Sequence, residues 1–141
     1  MKYPVDLTPD DNDTILAVIP DVPGVVSFGE TEDEALDNVE DALEAVLSAY
    51  ISDRKDIPAP SPAAGRPVVG FSLLGTLKLA VYQAMRDRSW RKADLARALG
   101  QNPSQTDRLL DLTHASTVAQ LEAALAACGR SVEVTMRDLA A

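Results

Sequence analysis

The sequence is poor in sulfur, in aromatic rings and in long apolar runs. A single cysteine, Cys128, stands in 141 residues, which excludes an internal disulfide and any cysteine-rich zinc site. The single histidine, His114, has no second His or acid at ligand spacing, so no metal site is expected around it. Aromatic residues make up 4% of the chain against 46% hydrophobic, so the core must be built mainly from Ala, Leu and Val. No apolar run reaches the roughly 18 residues that a membrane helix needs. The start, MKYPVDLTPDD, has no apolar stretch behind its lysine, unlike a signal peptide. Cytoplasmic residence, no membrane contact and no cofactor are the expectations.

What is abundant is acid, and it is unevenly spread. The net charge is −9, which taken whole argues against a nucleic-acid partner. Residues 1–60 hold 15 Asp and Glu against 3 Lys and Arg, a balance of −12. Residues 61–141 hold 7 against 10, a balance of +3. Such asymmetry points to separate interaction duties in the two halves. The acidic half repels phosphates and attracts a cationic partner.

Along the chain, Tyr3, Val5 and Leu7 alternate in KYPVDLT, a half-buried strand over Lys2 to Thr8. Pro9 to Asp13 is a turn. TILAVI, from Thr14 to Ile19, is a continuous apolar run of strand length, broken by Pro20-Asp21-Val22-Pro23-Gly24 and resumed from Val25 to Gly29. These strands form an antiparallel meander. Thr31-Glu32-Asp33-Glu34 is a capping-box pattern. From it a helix runs to about Ser52, with Leu36, Val39, Leu43, Val46, Leu47 and Tyr50 on one face. Residues 53–67, with Pro58, Pro60, Pro62 and Pro67, read as an extended linker or arm. Val68 to Leu73 has strand character. Four helices follow from Gly75, and SVEVTM at Ser131 to Met136 alternates as a final strand.

The strongest local signal is KADLARALGQNPSQTDRLLD. Two short helices meet at Gly100, which tolerates the positive φ of a tight turn. Asn102 caps the second, with Pro103 at its first position. Ser104, Gln105 and Thr106 offer short donors and acceptors near its start, with Arg108 one turn on. A recognition helix that reads base edges in the major groove needs that layout. Arg91 and Lys92, with Arg86, Arg88 and Arg97, are placed for phosphate contacts. His114, in the following loop, is either a surface residue or a phosphate contact. The bland alternative is a plain antiparallel helix pair with a solvated polar face.

A resemblance adds to this. VIPDVPGVVSFGETEDEALDNVEDALEAVLSAY closely resembles the HicB antitoxin family, where a "PDLPG"-like turn and a "G-T-x-x-E-A" helix start recur. Here they read Pro20-Asp21-Val22-Pro23-Gly24 and Gly29-Glu30-Thr31-Glu32-Asp33-Glu34-Ala35. Residues 78–134 resemble the helix-turn-helix tail of the subgroup that has one. Two departures stand out: Arg91 where such tails open with Ser, and Gln101-Asn102-Pro103 in place of Val-Ser-Gln.

The resemblance implies an α+β protein. Its N-terminal domain, residues 1–60, is a partial ribonuclease-H-like α/β unit with a three- to four-stranded sheet. The strand at 68–73 returns to it or, with 61–74, links it to the second domain. Residues 75–141 are a Cro/repressor-like helix-turn-helix domain with a terminal strand. The implied function is a type II antitoxin. It covers the active face of a HicA-type mRNA-cleaving ribonuclease toxin and represses its own operon at a palindromic site, as a homodimer or higher even oligomer through the C-terminal domain. The expected toxin contacts are Asp21, Glu30, Glu32, Asp33, Asp37, Glu40 and Asp41; a solvated helix face is the plain alternative for them. Two other functions compete. One is a stand-alone helix-turn-helix regulator whose N-terminal domain senses a ligand or protein. The other is a nuclease using Asp6, Asp21 and Glu34, disfavoured because no acid sits in the middle of an apolar strand. No catalytic or metal-binding residue is expected.

Overall fold

The computed structural model describes residues 1–139. These residues are mixed α and β, with two small sheets and five helices among them. Strands β1 (Lys2–Pro4), β2 (Asp6–Pro9), β3 (Ile15–Val18) and β4 (Val26–Gly29) are followed by helix α1 (Glu32–Ser52). β2, β3 and β4 form an antiparallel meander, with Leu7 opposite Ala17 and Ala17 opposite Ser27. The single strand expected over Lys2 to Thr8 is divided. The chain changes sheets at Val5, whose amide donates to Pro67 O at 2.8 Å, so β1 and β2 belong to different sheets.

The turn between β3 and β4 needs Gly24, whose φ is +92°. Gly29 is needed for another reason: a Cβ there would lie 2.4 Å from the Ala35 amide nitrogen, so the first turn of α1 rests on the sheet backbone. Thr31 caps that helix by accepting from the Glu34 amide at 3.1 Å. The return contact from the Glu34 carboxylate is not among the described hydrogen bonds. Ala35, Val39, Leu43, Leu47 and Ile51 form the buried stripe of α1, and it lies across β3 and β4.

Residues 53–67 carry no regular structure, yet they are tied down along their length. Tyr3 Oη donates to Pro58 O at 2.6 Å and Tyr82 Oη to Lys55 O at 2.6 Å. Ser61 donates its amide and hydroxyl to Asp21, at 2.8 and 2.9 Å. Arg66 meets Asp6, and Arg86 meets Asp56. The segment then enters β5 (Val68–Gly70), which pairs antiparallel with β1. The strand stops at Gly70 rather than Leu73 because Ser72 caps the next helix, accepting from the Gly75 amide at 3.1 Å.

That helix, α2 (Leu73–Asp87), is followed by α3 (Lys92–Leu99), α4 (Pro103–Leu110) and α5 (Val118–Ala127). Leu77, Val81, Met85, Leu95, Leu109, Leu121 and Leu125 meet in their shared core. This core is continuous with that under the sheets, so the halves are packed as one body. The expected terminal strand is corrected: residues 131–139 form no strand and are exposed. The alternation is there, with Val134 64% and Met136 92% exposed, but among the described residues no strand lies beside it, and an unpaired strand has no ladder to hold it.

Candidate functional site

Two surfaces carry the residues singled out in the sequence. The first is the α3–α4 pair. Asp94 fixes the start of α3: it accepts from the Arg91 amide at 2.8 Å and pairs with Arg97 at 2.7 Å, and its hydrogen bonds hold its carboxyl below the usual range. α3 ends on Gly100 at φ +64°. α4 then starts with a reciprocal cap: Asn102 Oδ1 accepts from the Gln105 amide at 2.9 Å, and Gln105 Oε1 accepts from the Asn102 amide at 3.1 Å. Each bond satisfies an amide near the helix start.

The far end of α4 is held by a residue that sequence reasoning missed. Lys78 of α2 is fully buried. Its Nζ donates to Arg108 O at 2.6 Å, to Ser116 Oγ at 2.8 Å and to Leu109 O at 3.4 Å. The last carbonyls of a helix have no partner within it, and a cation there also meets the negative end of the dipole. Burial lowers the Lys78 pKa, and Asp111 pulls the other way. Asp111 is itself held low by the Thr113 hydroxyl and amide. The signal was present in the sequence: one lysine between Leu77 and Leu79 on an otherwise apolar helix face.

Of the eight residues expected to meet DNA, three share one pocket. Gln105, Arg108 and His114 line a small polar pocket of about 110 Å³, with Gln101, Ser116 and Gln120. Gln101 Oε1 is buried there without a hydrogen-bond partner. Ser104 is exposed at the start of α4, and Arg91 is exposed at the start of α3. Lys92 is paired with Asp107 at 2.9 Å, which ties α3 to α4. Thr106 is a correction. It is fully buried, on the inner side of α4 with Leu109 and Leu110, so its side chain cannot reach a base.

The second surface is the acidic one. Glu30, Glu32, Asp33 and Asp37 are exposed on and just before the first turns of α1. Glu40 and Asp41 lie further along, beside Gly70, Phe71, Ser72 and Leu112 at the junction of the two halves. Asp21 is engaged by Ser61. The seven acids thus do not form one patch. What sequence reasoning missed here is apolar. Val26 is 51% and Phe28 60% exposed on β4, opposite Val18 and Leu16 of β3. Among the described residues, no group of three or more His, Cys, Asp or Glu is placed to hold a metal ion, and no helix is long and apolar enough to cross a membrane.

A family model described as HicB-like antitoxin of bacterial toxin-antitoxin systems matches residues 2–80, the sheets, α1 and the start of α2. The chain belongs to the HicB-like antitoxin family. Family relatives extend the match beyond those residues. Antitoxin HicB 2 of Photorhabdus laumondii is 31% identical over 134 residues, covering 95% of both chains. Antitoxin HicB of Pseudomonas fluorescens is 34% identical over 79% of this chain and 78% of its own. Antitoxin HicB of Escherichia coli K12 is 29% identical over 96% and 99%. Among solved structures, the N-terminal domain of Burkholderia pseudomallei antitoxin HicB matches 52% of this chain and all of its own, at 28% identity and a TM-score of 0.45. The HicB antitoxins are regulators, not enzymes, and this chain is read as one.

Proposed function

We propose that this protein is the antitoxin of a type II toxin-antitoxin pair and the repressor of its own operon. The observation that carries this is family membership sustained over nearly the full length. The N-terminal half is taken as a partial ribonuclease-H-like unit that covers a HicA-type mRNA-cleaving toxin. Inhibition is steric and electrostatic: an acidic half competes with RNA for a basic active face.

The α3–turn–α4 pair is taken as a helix-turn-helix, with α4 in the major groove of operator DNA. Its exposed polar start and the Gly100 turn support this. Ser104 and Arg108 have free side chains and are assigned to base edges. Arg91, Lys92 and His114 are assigned to phosphates. Asn102 and Gln105 hold the start of α4 while offering their remaining amide groups. Residues 131–136 are taken to pair with the same segment of a second copy, which places two copies of α4 about 34–36 Å apart on a palindromic site. Mobility-shift titration of the Arg108→Ala protein tests the assignment. Operator affinity is expected to fall by about tenfold or more, and unchanged binding would overturn it.

One observation favours a second reading, a stand-alone regulator with a sensing N-terminal half. An open pocket of about 330 Å³ lies between α1 and the α2–α3 corner, with Ile51, Tyr82, Met85, Trp90 and Leu110 as its apolar lining and Arg54, Arg86, Arg91 and Lys92 as basic groups around it. A neighbouring reading frame for a small basic protein, and co-purification with its product, separates the two.

A further inference from the structure

The sheet β2-β3-β4 has two faces, and only one is covered. Leu7, Ile15 and Ala17 point into the core beneath α1. By the period of two, their neighbours point the other way. The register places Asp6, Val18 and Val26 in one cross-strand row, and Thr8, Leu16 and Phe28 in the next. None of Leu16, Val18, Val26 and Phe28 packs against the core. One of the two phenylalanines in the chain is therefore 60% exposed, in the middle of an apolar stripe. A sheet with one solvated face ordinarily alternates apolar-in with polar-out. β3 breaks that rule, being apolar on both sides.

The stripe has an acidic rim. Pro9, Ile15 and Gly29 mark one end of the sheet. At that end lie the β2–β3 turn, with Asp10, Asp11 and Asp13, and Glu30 directly after β4. All four are exposed. Apolar centre beside charged rim is the anatomy of a protein interface, and the sign of this rim selects a cationic partner. The edge of β4 is less open than its face. In an antiparallel ladder alternate residues turn their backbone groups outward. Ile19 N donates to Val25 O, so Val26 and Phe28 are the outward pair. Asn38 Nδ2 of α1 already donates to Phe28 O at 2.9 Å, which obstructs addition of another strand.

We infer that the open face of β2-β3-β4, centred on Phe28, is where the basic toxin docks, face-on rather than by strand addition, and that the acids of α1 beyond its first turn are not the contact. This rests on the antitoxin reading above.

The test uses the full chain, co-expressed with the HicA-type protein encoded beside it. Phe28→Ser should weaken toxin binding on the order of 30-fold or more, as loss of a central aromatic anchor does. Asp37→Asn with Asp41→Asn should change it less than about threefold, because charges outside an interface are weak contributors. Val26→Ser is the second probe if Phe28→Ser is insoluble. The thermal midpoint of each variant, alone, checks that the fold is intact, since both side chains lie outside the core. If folded Phe28→Ser and Val26→Ser bind the toxin like the parent chain, the face is not the site, while the antitoxin reading stands. If binding is lost only in the Asp37/Asp41 variant, the α1 surface replaces it. If Phe28→Ser splits a homo-oligomer and spares toxin binding, the face belongs to a second copy and the inference fails. If the parent chain itself does not bind the toxin, the antitoxin reading and the inference both fail.

Discussion

The two halves use their polar residues differently. In the N-terminal half, most of the acids expected to meet a partner are free. Glu30, Glu32, Asp33 and Asp37 are exposed around the start of α1, and Glu32 and Asp33, in its first turn, are stabilised there by the dipole without a partner. In the C-terminal half, four of the eight residues expected to meet DNA are occupied or buried. Asn102 and Gln105 cap each other's backbone, Lys92 holds Asp107, and Thr106 is buried. The difference has a physical source. Small polar residues at a helix start suit a recognition helix and suit a cap equally well, because both jobs need a short acceptor near free amides. Thr117 and Gln120 form the same reciprocal cap at α5, where no base contact was expected. Residue type at a helix start therefore nominates a position; only the side chain's free donors and acceptors make it available.

The contrast can be broken hardest at Lys78. Lys78→Ala strips the donor from two carbonyls and a hydroxyl and leaves a cavity, which should cost about 3 kcal/mol or more. Chemical denaturation measures this. Operator binding should fall with it, although Lys78 touches no DNA; retention of full affinity would show that α4 is positioned without it.

Next come the tyrosines that pin residues 55–58. Tyr3→Phe deletes a buried hydrogen bond and should cost about 1.5 kcal/mol. Its pH dependence identifies the cause. Burial, with Asp21 adding to it, pushes the Tyr3 phenol from 10.0 up to about 12. The folded state thus favours the neutral phenol, whose stabilisation is complete below pH 10 and disappears as pH rises through 12. The stability gap between the parent chain and Tyr3→Phe should shrink over that window in alkaline denaturation. A gap that stays constant would refute this assignment.

Gly100→Ala should cost about 1 kcal/mol, the strain of a left-handed residue. A Cβ there has open space, so strain and not a clash is what a melting curve would read. The smallest effect belongs to Lys92→Ala. Its pair with Asp107 is about half exposed on both sides, and such pairs are worth less than about 0.5 kcal/mol. Stability should hardly change. A fall in operator affinity without a fall in stability would mark Lys92 as a phosphate contact.

Much of the architecture was legible because periodicity is a local property. α1 and its end at Ser52 follow from the spacing of apolar residues, which also puts Val39, Leu43 and Leu47 on the buried stripe; the phase was off by part of a turn, since Ala35 and Ile51 complete that stripe while Leu36, Val46 and Tyr50 are only partly buried. α3, Gly100 and the Asn102 cap follow from residue types that favour those backbone angles. Three things were not legible, and each depends on residues distant in sequence. The break at Val5 is set by Pro67. The role of Lys78 is set by Arg108 and Ser116. The failure of residues 131–136 to form a strand reflects the lack of a neighbour among the described residues, which alternation alone cannot report. Thr106 was misplaced because its chemistry outweighed its phase: it lies three residues before Leu109, on the same inner side of α4. The apolar outer face of the sheet was visible in TILAVI, an uninterrupted run, but went unread because a fully buried strand looks the same.

The segment 53–67 changes where this protein can be divided. A cut after residue 60, which composition suggests, would remove β5 from β1, Arg66 from Asp6 and Ser61 from Asp21. The excised piece would keep its helix and meander but expose the flank that β5 covers. A cut after Gly70 keeps all three contacts, and leaves Ser72 to start α2 on the other fragment. Limited digestion should therefore attack the exposed tail at 131–139 well before the proline-rich stretch, and a truncated toxin-binding fragment should be built to residue 70 or beyond.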